Sequence, residues 1–317
     1  MPKVMLTGAN GFVGSALITG LASRSDIHVV SVVRNGEVGA DRIAVGDIDG
    51  STDFTKALVE VDVVIHTAAR AHIMRDEVSD PLAEYRKVNV EGTLNLARQA
   101  VAAGVRRFVF LSSIKVNGEA TAMGKPFQAS DEPAPEDAYG VSKLEAEQGL
   151  MNLVAETDME VVIIRPTLVY GPGVKGNFAS MVKLVDKGVP LPLGAIHNKR
   201  SLVGIHNLID LIIRCIDHPA AANQVLLASD GEDLSTTQLL RRVGRALGKA
   251  PRLIPVPPGL LQVGATLLGK KAMAQRLLGS LQVDISETRK LLDWKPPYTV
   301  EEGLKRCFER SNWLATG

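Results

Sequence analysis

The sequence predicts an α/β fold: a doubly wound parallel sheet with a smaller, mostly helical C-terminal domain. Short apolar runs alternate with longer segments of helical composition through the first half of the chain. The run at residues 27–33 is apolar at nearly every position, as in strands buried on both faces of a parallel sheet. A glycine-rich turn directly follows the first apolar run. Repeated β-α-β units of this kind form a doubly wound sheet.

The individual elements follow from these periodicities. Strands are predicted at residues 4–7, 27–33, 43–45, 63–66, 107–112 and 161–165. Helices are predicted at residues 11–23, 55–59, 82–103 and 139–156. After the segment RPTLVYGPG, prolines and glycines become frequent and helices dominate. We therefore predict a dinucleotide-binding domain at residues 1–165, with residues 201–228 returning to it, and a substrate-binding domain at residues 166–200 and 229–317.

Composition narrows the class of protein. The 317 residues are 45% apolar and carry a net charge of +1, which provides no overall field for nucleic acid or an anionic membrane. No run of apolar residues is long enough for a membrane span, and LLQVGATLLG near Leu260 is expected to pack as a core-facing helix. Because Met1 leads directly into a strand, we expect no signal peptide and a cytoplasmic protein. Cys215 and Cys307 are expected to be buried thiols, and no metal site is predicted.

The pair Tyr139 and Lys143, in AYGVSK, indicates acid-base chemistry. Positions i and i+4 of a helix share a face, so the ammonium can lie beside the phenol. A nearby cation favours phenolate, which would bring a group with a free pKa of about 10 towards neutrality. A hydroxyl from Ser112 or Ser113 would orient the substrate oxygen that exchanges the proton. Taken alone this spacing is common on surface helices, and its context gives it weight.

The glycine loop TGANGFVG predicts a dinucleotide site. Gly8 permits a tight turn, Gly11 lets backbone amides approach a pyrophosphate, and Gly14 allows close packing of helix on strand. The helix N-terminus adds a partial positive charge that favours phosphate. The alternative is a merely tight strand-helix turn.

The choice of dinucleotide depends on the end of the second strand, where a carboxylate would select NAD. This chain has Arg34 there, which would clamp a 2′-phosphate, so NADP(H) is favoured over NAD(H). The alternative is an ordinary surface arginine near adenine. Asp47 and Ile48 would lie near the adenine, and Ala68 and Ala69 near the middle of the cofactor.

Two histidines adjoin these segments. His66 ends an apolar strand and is expected to be a packed histidine rather than a ligand. Arg70 and His72 follow it on a loop that would face the substrate.

The whole pattern resembles the extended short-chain dehydrogenase/reductase family. The motifs TGxxGxxG, GDI, HxAA, NVEGT, SS before VNG, and YxxxK occur in that family's order over essentially the full chain. The resemblance implies a Rossmann-like fold and a catalytic set of Ser113, Tyr139 and Lys143, with Lys143 also holding the nicotinamide ribose. Ser113 is favoured over Ser112 because it lies three residues before Val116, as in the sugar epimerases. Cofactor contacts are assigned to Gly8, Asn10, Gly11, Phe12, Val13, Arg34, Asp47, Ile48, Ala68, Ala69, Tyr139, Lys143 and Pro166.

Within that family the chain is most similar to the nucleotide-diphosphate-sugar branch. RPTLVYGPG and RSLVGIHNLIDLI resemble segments of that branch. By this resemblance Arg200 and Arg276 would contact the phosphates of a UDP-sugar, and Asn177 would line the nucleotide cleft, together with Ser113 at the sugar. For each arginine, the alternative to a phosphate contact is an ordinary salt bridge within the protein. The family also implies a homodimer, in which helices at residues 82–103 and 139–156 pair across a two-fold axis.

Departures from the branch pattern refine the expectation. Ile114 and Lys115 stand where dehydratases have an Asp-Glu pair, which argues against dehydration. SSIKVNGE resembles bacterial reductases of UDP-4-keto-6-deoxy-N-acetylhexosamines, which supply O-antigen sugars of lipopolysaccharide. We therefore predict reduction of such a 4-keto group. The alternatives are an NAD-dependent UDP-sugar 4-epimerase and, more distantly, a catalytically silent NADP-sensing regulator, which would typically have lost Tyr139 or Lys143.

Overall fold

The main sheet has seven parallel strands in the order β3-β2-β1-β4-β5-β6-β9. The structure is a computed structural model. It describes residues 1–36, 39–71 and 80–309, except the side chains of residues 272 and 273. The strands of the main sheet are β1 Lys3–Thr7, β2 His28–Val33, β3 Arg42–Ala44, β4 Val63–His66, β5 Arg107–Leu111, β6 Glu160–Pro166 and β9 Gln224–Ala228. Strand order reverses between β1 and β4, which is where open α/β sheets bind ligands. The predicted fold class is confirmed.

A second, three-stranded sheet has the order β10-β8-β7. Its strands are β7 Leu168–Tyr170, β8 Arg200–Gly204 and β10 Asp233–Leu234. Of the segment 201–228, β9 pairs with β6 in the main sheet, whereas β8 pairs with β7 in the small one. The predicted domain bounds remain a proposal.

The helices cover both faces of the main sheet and form most of the C-terminal part. They are α1 Phe12–Ala22, α2 Pro81–Arg86, α3 Thr93–Ala102, α4 Ala138–Ala155, α5 Asn177–Asp186, α6 Ile205–Arg214, α7 Thr236–Ala246, α8 Pro258–Leu267, α9 Lys271–Leu278, α10 Ser286–Leu292 and α11 Val300–Glu309. One apolar layer joins α1 and α6 to the sheet through residues such as Leu17 and Leu208. The opposite layer joins α3 and α4 through Leu96 and Leu150. The core therefore lies on both faces of the sheet, as the all-apolar strands predict.

Two of the predicted helices differ from the structure. Residues 55–59 form turns, in which Leu58 donates its backbone N–H to Phe54 and the chain reverses at Glu60 with φ 57°. Burial of Phe54 and Leu58 stabilises these turns, and so short a segment cannot propagate a helix. The predicted helix at 82–103 contains a π-helical turn at Lys87–Gly92 between α2 and α3. Such turns are frequent at functional sites.

The expectation that LLQVGATLLG packs as a core-facing helix is wrong. It forms α8, which contains no buried residue. Periodicity alone identifies an apolar helix face but not whether another element of the chain covers it. Over the described part of the chain, no helix has the length and apolar character that crossing a membrane requires.

Candidate active site and nucleotide site

The predicted catalytic side chains meet beyond the carboxyl end of β5. Ser113 follows that strand and caps a short 3-10 turn, with its side chain accepting from the backbone N–H of Lys115 at 3.2 Å. Tyr139 and Lys143 lie in the first two turns of α4, which begins at an N-cap formed by Asp137. The Asp137 carboxylate accepts from the backbone N–H of Gly140 at 2.7 Å, which fixes the start of the helix. The hydroxyl of Ser113 lies close enough to the phenol of Tyr139 to lower its pKa.

The Tyr139 phenol is held protonated by the groups of the chain itself. Burial raises its pKa, and the carboxylate of Asp137 and the neighbouring Tyr85 raise it further. The hydroxyl of Ser113 opposes this rise in pKa without cancelling it. We expected Lys143 to lower the pKa of the Tyr139 phenol, and that expectation is wrong. The reason is burial, which penalises a phenolate more than the local charges stabilise it.

Lys143 is buried rather than pointing freely at the phenol. Its ammonium donates to the carbonyl oxygen of Leu111 at 2.9 Å and lies 4.3 Å from the centre of the Phe110 ring. Burial lowers its pKa to about 7, and the carboxylate of Glu147 opposes that shift. Lys143 is therefore poised to exchange its proton near neutral pH.

The second serine of the SS pair has a different partner. The Ser112 hydroxyl donates to the carboxylate of Glu147, which forms a buried ion pair with Arg165 at 2.6 Å. Arg165 also donates to the amide oxygen of Asn117 at 3.0 Å. This network was not predicted from the sequence. Its one local signal is the position of Glu147, four residues after Lys143 on the same helix face.

The glycine loop has the close approach that its sequence predicts. Gly8 has φ 72°, and a Cβ there would lie 2.7 Å from the backbone nitrogen of Ala68. A Cβ on Gly14 would lie 2.1 Å from the carbonyl oxygen of Gly8, so only glycine lets α1 pack this tightly on β1. Gly11 is the N-cap of α1 and donates its N–H to Gly8 at 2.8 Å. The loop, with Asn10, Phe12 and Val13, thus leaves the helix N-terminus accessible to a phosphate.

Two arginines lie at the adenosine end of this loop. Arg34, immediately after β2, is exposed and pairs with the carboxylate of Asp47 at 2.8 Å. Arg42, at the start of β3, donates to the side-chain oxygen of Asn10 at 3.3 Å. The position of Arg42 was not predicted from the sequence. It lies in a different strand, and only the parallel pairing of β2 with β3 brings it next to the loop.

The loop after β4 is clamped to α4. The side chain of Asn89, in the π-helical turn, accepts from the backbone N–H of Arg70 at 2.8 Å and donates to its carbonyl oxygen at 3.1 Å. It also donates to Ser142 at 2.9 Å, between the two catalytic positions of α4. The half-buried Ala68 and Ala69 precede this clamp and follow the strand next to β1.

His66 is a packed histidine. Its ring nitrogens are bonded to the hydroxyls of Thr7 at 2.7 Å and Thr93 at 2.9 Å. Burial lowers its pKa to about 3, with a contribution from the charge of Lys143. It is therefore neutral and serves the core, whereas His72 lies outside the described residues.

The two predicted phosphate-binding arginines are neighbours. Burial lowers the pKa of Arg200, and the positive charge of Arg276 lowers it further. Arg200 donates to the carbonyl oxygen of Gly279 at 3.1 Å, just beyond α9. Within residues 1–36, 39–71 and 80–309, neither guanidinium forms an ion pair with a carboxylate. Adjacent unpaired cations of this kind suit an anion with two negative groups.

Three further residues were predicted to contact the cofactor or the substrate. Pro166 is the buried last residue of β6, at the carboxyl edge of the main sheet. Ile48 is half-buried and contacts Gly92 of the π-helical turn. Asn177 is exposed at the start of α5, and no hydrogen bond among the described side chains joins it to Arg200 or Arg276.

Fold and site together define a nicotinamide-dependent oxidoreductase of the extended short-chain dehydrogenase/reductase class. The chain belongs to the NAD dependent epimerase/dehydratase family, whose model matches residues 4–228.

Two curated relatives cover nearly the whole chain. It is 54% identical to the UDP-glucose 4-epimerase of Vibrio cholerae, over 98% of this chain and 95% of the relative. It is 30% identical to N-acetyl-alpha-D-glucosaminyl-diphospho-ditrans,octacis-undecaprenol 4-epimerase of Escherichia coli O157:H7, over 97% and 94%. Among solved structures it is similar to MoeE5 in complex with UDP-glucose and NAD, with 25% identity, 99% of both chains covered and a TM-score of 0.77.

Proposed function

We propose that this protein is an NAD-dependent 4-epimerase of a hexose joined to UDP. The observation that carries the proposal is the convergence of Ser113, Tyr139 and Lys143 at the same carboxyl edge of the sheet as the glycine loop, in a chain 54% identical to a UDP-glucose 4-epimerase over nearly its full length. The predicted alternative is thereby preferred to the 4-keto reductase that we expected first.

The chain's residues supply the proton chemistry at carbon 4. NAD, held by the glycine loop, would supply reversible hydride transfer at carbon 4. Tyr139 takes the proton of the 4-hydroxyl and later gives it back to the ketone oxygen. Ser113, whose hydroxyl lies near the phenol, orients that oxygen. A positive charge near the phenol is needed to lower its raised pKa, and Lys143 is placed on the same helix face to contribute it.

The cofactor site fits a dinucleotide. The glycines of the loop let neighbouring backbone segments approach where any Cβ would collide, and α1 presents its N-terminus at this loop. Tyr139, Lys143 and Pro166 line the nicotinamide end in this proposal, and Ala68 and Ala69 its middle.

The substrate is a sugar diphosphate in this proposal because of Arg200 and Arg276. Their adjacency, with no carboxylate paired to either in the described part of the chain, supports a diphosphate between them. The names of both 4-epimerase relatives have this in common, since one acts on a UDP-sugar and the other on a sugar diphosphate of a polyprenol. Asn177 remains a proposed lining residue of the same cleft.

A second candidate is reduction of a UDP-4-keto-6-deoxy sugar by NADPH. It is favoured by Arg34 and Arg42, two guanidinium groups at the adenosine end where NAD-selective chains have a carboxylate. The ion pair between Arg34 and Asp47 partly satisfies one of these charges, which weakens the support for a 2′-phosphate.

The deciding experiment gives the purified protein UDP-glucose or UDP-N-acetylglucosamine without added cofactor. An epimerase forms the corresponding galacto sugar and releases NAD when denatured. A reductase consumes added NADPH in step with a UDP-4-keto-6-deoxy sugar and forms no epimer. The second result would replace the proposal with the reductase.

Cofactor selectivity is tested at Arg34. If its guanidinium binds a 2′-phosphate, Arg34→Ala weakens NADPH binding about ten- to a hundredfold and leaves NADH nearly unchanged. Arg24→Ala is the matched control, because Arg24 is an exposed arginine paired with Asp26 away from the loop. Equal effects on both cofactors, measured by fluorescence titration, would exclude a 2′-phosphate role and support NAD.

A further inference from the structure

Five of the eleven large apolar side chains that are exposed among the described residues lie between residues 254 and 268. Ile254 is 49% exposed, Leu260 66%, Val263 60%, Leu267 82% and Leu268 73%. We call these five side chains the α8 face. Residues 260, 263 and 267 are spaced three and four apart, so they form one stripe along the helix. The C-terminal half of the chain thus presents an apolar stripe to its surroundings rather than to its core.

The charged residues of the segment that carries the α8 face are all of one sign. From Lys249 to Val283 the sequence contains no Asp or Glu, whereas Arg252, Lys270 and Lys271 are exposed beside the face. The net charge of +1 conceals this local imbalance, since it averages the acid-free segment with the rest of the chain.

From these two features we infer that the α8 face docks on an anionic lipid surface. A short helix with an apolar stripe and flanking lysines lies in the plane of a membrane interface, its apolar side chains among the acyl chains and its cations at the headgroups. Acidic headgroups complement the exposed basic rim, whereas a neutral surface would leave it unmatched. The inference concerns the surface alone and does not depend on the proposed function.

Docking of this face would bring the substrate cleft close to the membrane. Helix α8 packs against α9, which carries Arg276. The carbonyl oxygen of Gly279, just after α9, accepts from Arg200 at 3.1 Å and from Asn198 at 2.8 Å. The docked helix pair is therefore joined directly to the arginine pair of the cleft.

The test is co-sedimentation of the full-length protein with vesicles. Vesicles containing phosphatidylglycerol are expected to bind it about tenfold more tightly than vesicles of phosphatidylcholine alone, and added salt is expected to weaken that binding. Leu267→Ser with Leu268→Ser is expected to reduce binding at least about tenfold, and Lys270→Glu with Lys271→Glu to a similar degree. These side chains are exposed, so an unchanged circular dichroism spectrum and melting temperature are expected.

Val59→Ser and Lys56→Glu are the matched controls. Both positions are exposed and lie in the N-terminal part of the chain, in the turns at residues 55–60. Each is expected to bind vesicles like the parent. No binding to phosphatidylglycerol vesicles overturns the inference, as does binding that survives the leucine substitutions. If the parent instead self-associates in light scattering, binds no vesicles, and becomes smaller on the leucine substitutions, the α8 face is an interface between copies and the lipid inference is wrong.

Discussion

At the scale of single residues, burial shifts the pKa values of Tyr139 and Lys143 in opposite directions. It raises the pKa of the phenol and lowers that of the ammonium to about 7. Both shifts favour the uncharged forms of these two side chains. Groups with shifted pKa values of this kind are typical of catalytic sites.

Removal of the Tyr139 hydroxyl tests its role as acid and base. Tyr139→Phe keeps the ring and its contact with Tyr85, whose centroid lies 6.0 Å away. We expect turnover to fall by about a hundredfold or more, with cofactor binding largely kept. Steady-state kinetics and cofactor titration are the measurements. Turnover within a few-fold of the parent would contradict the assignment.

Lys143 is expected to cost stability in the nucleotide-free protein. Its pKa is lowered from 10.5 to about 7, so the unfolded chain holds the proton more tightly. This destabilisation is full below the folded pKa and disappears as pH rises towards the unfolded value. Lys143→Met is therefore expected to raise the free energy of unfolding by about 2 kcal/mol near neutral pH, while abolishing activity.

Urea unfolding at neutral pH and again about 2 units higher measures this effect, since the advantage of the variant should shrink at the higher pH. Lys56→Met, at an exposed position, is the control and should change little at either pH. A Lys143→Met variant that is less stable than the parent at neutral pH would show that hydrogen bonding to Leu111 outweighs the burial of the charge.

At the scale of elements, α4 and β6 are joined by the buried pair of Glu147 and Arg165. Both side chains are 4% exposed, and the pair lies directly beneath Ser112 and one turn from Lys143. Breaking such a pair leaves one buried charge uncompensated, which costs more than the pair itself contributes. The network therefore positions the catalytic helix on the sheet.

Glu147→Gln is expected to lower the free energy of unfolding by about 3–5 kcal/mol. Glu145→Gln is the matched control on the same helix, since Glu145 pairs with Arg86 at the surface, and it should cost no more than about 1 kcal/mol. Replacing both Glu147 and Arg165 by methionine should recover most of the loss. Similar costs for the two single variants would contradict a special role for the buried pair.

At the scale of the whole molecule, α3 and α4 pack side by side on one face of the main sheet. Leu94 of α3 lies against Gly149 of α4, so the two helices approach closely. A second copy adding the same two helices about a two-fold axis would complete a four-helix bundle. We predict a homodimer, and light scattering at micromolar concentration should give twice the mass of the chain. A monomer under those conditions would contradict it.

The local features of this protein were determined by the sequence alone. The run of β-α-β units predicted the doubly wound sheet, because strand and helix periodicities depend on neighbours along the chain. The placement of Gly8 and Gly11 between β1 and α1, with Gly14 in the first turn of α1, was likewise predictable, since a tight turn is a local requirement. The shared helix face of Tyr139 and Lys143 was also predictable from the sequence, because it follows from helical spacing.

Only the tertiary structure decided the environment of these residues. The raised pKa of Tyr139, the partnership of Ser112 with Glu147 and the approach of Arg42 to Asn10 all depend on contacts between segments far apart in sequence. The exposure of α8 was likewise decided there, because an apolar stripe on a helix looks the same in sequence whether the chain covers it or not. Burial and long-range pairing are properties of the assembled layers, and periodicity carries no information about which layer lies on which face.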